Sequence, residues 1–256
     1  MWGKVSEEQR RIVARIEEVA AKIEEARGLR QAIKKEIQAL KGSYMNYIFS
    51  SLKTQGSFYC GLGEIADIRA GVTLGRVLQG STISIPYLRV ANVQDGKLDL
   101  SVIKEIDILP EELKKWKLED GDILLTEGGD WDKLGRGTVW KGEIPICIHQ
   151  NHIFRLRIMQ KDFDVNFLAA YISSPYGKTY FQSAAKKTTN LASINQKQLK
   201  ALKIIKPPLE VQKEIVVQLD MLQAKIDTLK RHQAETSAEL NALLPSILDK
   251  AFKGEL

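Results

Sequence analysis

The stretch LEVQKEIVVQLDMLQAKIDTLKRHQAETSAELNALLPSILDKAF (209–252) reads, with drift, as a second copy of SEEQRRIVARIEEVAAKIEEARGLRQAIKKEIQALKGSYMNYIF (6–49). The offset is 203 positions throughout and needs no gap. Gln9 matches Gln212, Ile12–Val13 match Ile215–Val216, Lys22–Ile23 match Lys225–Ile226, and Phe49 matches Phe252. A self-match of this length sets the frame before any fold is assigned. In the first copy one stripe runs Ile12, Ile16, Val19, Ile23, Ala26, Arg30, Ile33, Ile37, Leu40, Tyr44. The steps alternate four and three, which is a heptad seam turned toward a partner helix. The second copy supplies that partner through Ile215, Leu219, Leu222, Ile226, Leu229, Gln233, Thr236, Leu240, Leu243 and Ile247. Arg30 and Gln233 are polar at matched positions, a device that can fix register at a cost in stability. Ser6 with Gln9 behind it suits a capping box. Gly42 and Pro245 also match, and predict that both helices break or kink at one level.

Between the copies the period changes. Residues 53–208 show short strand patterns and turns in place of heptads. IPYLRVANVQDGKLDL (85–100) reads as a hairpin around Asp95–Gly96. LPEELKKWKLEDGDILLT (109–126) reads as a short helix, a turn at Asp120–Gly121 and an apolar strand. Residues 138–158 are strand-rich, and 166–185 are helical with a break at Pro175. Because the end of the first helix feeds this domain and the domain feeds the start of the second, the helices are expected to run antiparallel. The expected class is α+β, a long antiparallel coiled-coil helix pair flanking one mixed α/β domain. The expected division is 1–52, 53–208 and 209–256.

Composition narrows the function classes. Apolar residues make up 44% and charged residues 27% of 256, a soluble globular balance. No apolar run approaches the length of a membrane span, and MWGKVSEEQRR lacks a signal-peptide pattern, so a cytoplasmic protein is expected. Cys60 and Cys147 make neither a disulfide framework nor a metal set. Charge is unevenly placed: residues 58–132 carry 8 Lys/Arg against 14 Asp/Glu, whereas residues 133–206 carry 13 against 3. An asymmetry of that size suggests a basic surface for a polyanion.

Catalytic motifs are missing. No glycine-rich dinucleotide or P-loop pattern occurs, and Lys206–Leu209 (KPPL) lacks the Asn or Asp that an amino-methyltransferase places before Pro-Pro. His149 and His152, three apart on a strand, would point to opposite faces rather than share a metal. Asp130, Asp132 and Lys133 only loosely resemble a nuclease cluster, and loop carboxylates beside glycine are usually turn formers. Four loops instead combine glycine with cations, amides, hydroxyls and an aromatic, the side chains that contact phosphates and base edges. Their candidate residues are Arg69, Thr73 and Arg76; Asp130, Trp131, Lys133 and Arg136; Gln150, Asn151 and His152; and Lys186, Lys187, Thr188, Thr189, Asn190 and Lys197. No catalytic or metal-binding residue is expected. A coiled-coil adaptor whose central domain binds protein is the alternative.

With these residues in view, the chain resembles the specificity subunit of type I restriction–modification systems. The resemblance rests on IIKPPLEVQKEIVVQLD (204–220), a Pro-Pro-Leu-x-x-Gln step into a heptad helix, and on EGGDWDKLGRGTVW…IPICIHQNHIFRLR (127–157). It also rests on the alternation of a recognition domain with related helices. It implies double-stranded DNA as ligand and methyltransferase subunits as partners, joined in some assemblies by a restriction subunit. It further implies no cofactor on this chain, S-adenosylmethionine being held by the methyltransferase subunits. The family layout is domain, helix, domain, helix; here it is helix, domain, helix. A half-subunit, a truncated product or an engineered piece would fit, and one domain would read one half of a bipartite target. A homodimer through the helices would then read an interrupted palindrome.

Overall fold

Both copies of the repeat are uninterrupted helices, Glu7–Thr54 and Leu209–Lys253, in a computed structural model. It describes residues 7–54, 58–131, 134–187 and 192–255, without the side chains of Gln38, Lys53, Thr54 and Lys187. Ser6, and with it the expected capping box, lies outside these residues. Gly42 and Pro245 are both inside the helices, so the breaks expected there do not form. Glycine costs about 1 kcal/mol in a helix and proline about 3 kcal/mol. Ile37 and Met45, buried on either side of Gly42, offset the glycine cost, a buried Ile contributing roughly 1.5–3 kcal/mol, whereas beside Pro245 the seam is half-buried at Leu240 and Ile247 and exposed at Leu243.

The chain divides into two compact units. One holds the residues through Ser43 and those from Leu219 onward; the other is Tyr44–Gln218. In the first unit the helices are antiparallel. Arg27 donates from Nη2 to Asn241 Oδ1 at 3.0 Å, and Lys41 Nζ donates to Gln223 Oε1 at 3.0 Å, so partners fall in number as the first helix advances. Ile23, Ile37, Leu219 and Ile226 are buried in this seam, while Ile33, Leu40, Leu229 and Leu243 stay exposed. Two helices enclose only one stripe, and the flanking seam positions face outward.

The second unit begins inside the first helix. Met45, Ile48, Phe49 and Leu52 are buried there, and the Phe49 ring packs edge-on against Tyr171 (5.0 Å between centroids) and Phe167 (5.9 Å). At the start of the last helix, Gln212 is buried with its amide satisfied. Its Nε2 donates to the Asp162 and Pro207 carbonyls, and its Oε1 accepts from Asp164 N–H. The glutamine of the Pro-Pro-Leu-x-x-Gln step thereby ties the helix start to the turn before the helix Val165–Ser173.

Among the described residues the strands form four short sheets and a small hairpin. Strand Phe58–Gly61 pairs with Lys203–Lys206. The largest sheet is antiparallel, in the order Ala66–Ala70, Ile153–Ile158, Ile123–Thr126, Gly137–Val139. Ile148–His149, Ile83–Leu88 and Lys104–Ile108 form a third. The Asp95–Gly96 turn exists, with Gly96 at φ +72°, but it joins only Val93–Gln94 to Lys97–Leu98. The long strand Ile83–Leu88 pairs across the domain instead, burying Ile85, Tyr87 and Leu88 against Ile108, Trp116 and Ile148 on one side and Trp140 and Cys147 on the other. The expected helical stretch is two helices, Val165–Ser173 and Pro175–Ala184, the second capped by Ser174. No described helix is long and apolar enough to cross a membrane.

Candidate nucleic-acid interface

The four loops singled out from sequence meet through backbone hydrogen bonds. Gly71 leads the first loop across strand Ile148–His149, where any side chain would collide: a methyl group on Gly71 would stand 1.9 Å from the His149 carbonyl oxygen. Val72 then donates to His149 O (2.8 Å) and accepts from Asn151 N–H (2.9 Å). Asn151 runs into His152, whose carbonyl accepts from Glu127 N–H at 3.0 Å. The Glu127 carboxylate is 2.6 Å from His152 Nδ1, and the Glu127 carbonyl accepts from Ile194 N–H at 2.9 Å. Gly128–Gly129 pairs with Ala192–Ser193, which pairs with Lys186–Lys187. Gln196 closes the circuit by donating from Nε2 to the Ile68 carbonyl, one residue before Arg69. The segments around 69–76, 127–131, 149–152, 186–187 and 192–197 are thus one hydrogen-bonded tract.

The rest of the second loop, 134–137, is pinned from behind. Gly135 has φ +66° and lies against Phe181, so a side chain is excluded there both by backbone and by space. The Arg136 carbonyl accepts from Thr126 N–H (3.0 Å), and its guanidinium donates to the Val90 carbonyl (3.3 Å).

The candidate side chains differ in how they are held. Thr73, Asp130, Trp131, His152, Lys186 and Lys197 are exposed, and Gln150 and Asn151 are half-buried. Lys186 and Lys197 form no ion pair among the described residues. Arg69 is exposed but pairs with Asp67 at 2.9 Å. Arg76 is engaged inside the domain. Its guanidinium makes two hydrogen bonds to the Glu112 carboxylate, at 2.6 and 3.0 Å, and lies 4.9 Å from the Trp116 ring centroid. The Arg76 hydrogen bonds hold the Glu112 carboxyl below its ordinary range. Lys133, Thr188, Thr189 and Asn190 lie outside the described residues, as does the Lys187 side chain. Sequence reading passed over two apolar side chains on the first loop, Leu74 and Val77, the latter 92% exposed. An apolar side chain carries no mark of its exposure in sequence, where burial is the default reading. Glu127 was also missed, since its role as the joint of three segments appears only in three dimensions.

The charge asymmetry along the chain is partly consumed by pairing between the two blocks. Arg155 pairs with Asp67, Arg157 with Asp122 and Glu119, and Lys178 with Asp95. Burial opposes ionisation of Asp67, but hydrogen bonds from Arg155 and Arg69 outweigh it and hold the carboxyl below its ordinary range. His149 and His152 are unlike. His152 is exposed against Glu127, whereas His149 is fully buried, and neither of its ring nitrogens has a partner among the described residues. Burial, reinforced by the nearby Arg155 charge, lowers the ionisation of His149 to about 4. Among the described residues no three side chains of His, Cys, Asp or Glu cluster as metal ligands would.

Residues 59–237 match the family model "Type I restriction modification DNA specificity domain". The StySPI specificity subunit of Salmonella potsdam is 27% identical over 256 residues, covering 98% of this chain and 55% of that protein. The EcoKI specificity subunit of Escherichia coli K12 is 31% identical over 178 residues, covering 69% and 38% respectively. Among solved structures, the crystal structure of the HsdS subunit from Thermoanaerobacter tengcongensis superposes with a TM-score of 0.63 at 27% identity, over 98% of this chain and 59% of that one. A chain from work on complex assembly and conformational transition of the type I R-M system reaches 0.73 at 28% identity, over 98% and 60%. The chain therefore spans about 40–60% of the length of these relatives. With the match running through both the loop tract and the start of the last helix, this chain belongs to the type I restriction–modification DNA specificity family.

Proposed function

We propose that the tract of joined loops reads one half of a bipartite double-stranded DNA target, and that the helices dock methyltransferase subunits. On this reading the chain is not itself an enzyme. S-adenosylmethionine and methyl transfer belong to the methyltransferase subunits, and a restriction subunit joins through them. The observation that carries the reading is the hydrogen-bonded circuit through the backbones of Val72, Asn151, Glu127 and Ile194, closed by the side chain of Gln196. It fixes four polar loops relative to one another, as base readout requires, while Lys186 and Lys197 remain uncommitted for phosphates.

The half-site reading has a separate support in the repeat. Phe49 and Gln212 are buried in the central unit, whereas Phe252, the counterpart of Phe49, is exposed. A second recognition domain, brought by another copy of this chain or by another protein, would cover it. A homodimer would then read an interrupted palindrome.

The test is fluorescence anisotropy with duplex DNA, with and without a co-purified methyltransferase, across a salt series. Log affinity should fall linearly with log salt, and Lys186→Ala should lower the slope by about 1. Mapping of methylated sites should return an interrupted target. Binding that ignores salt, Lys186 and the methyltransferase would overturn the reading and favour a protein-binding adaptor.

A further inference from the structure

The helix seam contains a cavity that the DNA reading does not use. It has a volume of about 550 Å³ and lies where Arg30 and Gln233 interrupt the apolar stripe. Ile37, Ala234 and Leu240 supply its apolar wall. Its polar lining includes Arg30, Lys34, Lys230, Gln31, Gln233 and Ser237, and no carboxylate. Arg27 also borders it, but that guanidinium is taken by Glu24 and Asn241. Arg30, Lys34 and Lys230 have no ion pair or hydrogen bond among the described residues, and Arg30 Nη1 is shut off from solvent without an acceptor.

Three uncompensated cations around one cavity repel each other, and a desolvated guanidinium nitrogen left unpaired is costly. An anion seated in the cavity relieves the repulsion. A chloride would leave most of the cavity empty and would satisfy few of its donors. A guanidinium, two ammonium groups, two amides and a hydroxyl together suit a ligand with several oxygens. The cavity is also of the size that holds small-molecule ligands. We propose that this seam cavity binds a small phosphate anion, such as pyrophosphate or a nucleotide's phosphate chain. Because such a ligand binds only the paired helices, it also locks their register.

Isothermal titration of the full chain with pyrophosphate, orthophosphate and ATP tests this, alongside thermal melts at ionic strength matched with potassium chloride. Lys34 and Lys230 are exposed, so Lys34→Gln/Lys230→Gln should fold with unchanged helix content by circular dichroism. Saturable binding at one site per chain is expected, with a matching rise in Tm. It should weaken roughly a hundredfold in the double variant, tenfold for each charge removed. Lys186→Ala, which lowers DNA affinity on the reading above, should leave phosphate binding unchanged. Pyrophosphate binding well above orthophosphate would show that more than one phosphate is held, and ATP equal to pyrophosphate would show that only the phosphates are recognised. A Tm rise that does not saturate and that chloride reproduces is charge screening and overturns the proposal. So does saturable binding that survives in the double variant or is lost in Lys186→Ala.

Discussion

Phe49 and Phe252 hold the same position in the two copies of the repeat, yet one is 2% and the other 90% exposed. Phe49 is clamped between Tyr171 and Phe167, so Phe49→Ala should destabilise the central unit by about 3–5 kcal/mol. Phe252→Ala should leave the urea midpoint of the monomer unchanged. Its effect should appear in sedimentation equilibrium, as weaker self-association or weaker association with a chain that carries a second recognition domain. Equal effects of the two substitutions on stability would remove the asymmetry on which the half-site reading leans.

Gly71 is required for a steric reason. With a methyl group 1.9 Å from the His149 carbonyl, Gly71→Ala must push the first loop off strand Ile148–His149. Loss of roughly 1–3 kcal/mol is expected, together with faster amide exchange at Val72 and Asn151, which hydrogen–deuterium exchange would read. Gly75→Ala, at a position with open space but φ +72°, should cost less, about 1 kcal/mol, and should spare those amides.

His149 makes stability depend on pH. Unfolded, this ring ionises near 6.5; folded, burial holds it neutral down to about 4. Below about pH 6.5 the unfolded chain takes up a proton that the folded chain refuses. Stability is complete above that value and falls as pH drops toward 4, by at most about 3 kcal/mol. Asp67 adds a loss at lower pH, because its folded carboxyl ionises below the ordinary range. Denaturation curves between pH 7 and pH 4 should be flatter in His149→Leu than in the wild type, with the two converging in slope outside that window.

Arg76 and Lys186 should separate stability from binding. Arg76→Lys cannot keep both hydrogen bonds to Glu112 or the stacking on Trp116, and should cost about 1–2 kcal/mol in a urea melt. Its effect on the salt dependence of DNA binding should be small. Lys186→Ala should do the reverse: an unchanged melt and a shallower salt slope. A steep loss of DNA affinity in Arg76→Lys without loss of stability would place Arg76 on the DNA.

The helix pair was legible because a heptad stripe has one physical use, and the turn at Asp95–Gly96 was legible because Gly96 needs a positive φ. The partners of strand Ile83–Leu88 were not. Its neighbours lie at 104–108 and 148–149, and alternation within a strand says nothing about which distant strand covers it. Gly42 and Pro245 favour a break by local propensity, yet the backbone stays helical through both, with Ile37 and Met45 packed on either side of Gly42. In the site, glycine, amide and lysine content pointed to the loops, but only the fold shows that Glu127 joins them and that Arg76 is claimed by Glu112. The block charge asymmetry overstated the free basic surface, since Arg155, Arg157 and Lys178 reach back to the acidic block.

Phe49 and Gln212 have a practical corollary for exchanging specificity between relatives. Each lies within a helix by backbone but within the central unit by burial, and that unit runs from Tyr44 to Gln218. A chimera spliced at the apparent helix ends would graft a foreign domain onto a mismatched aromatic socket and an unmatched glutamine. Crossovers placed just before Tyr44 and just after Gln218 carry both anchors with the cargo they evolved to hold.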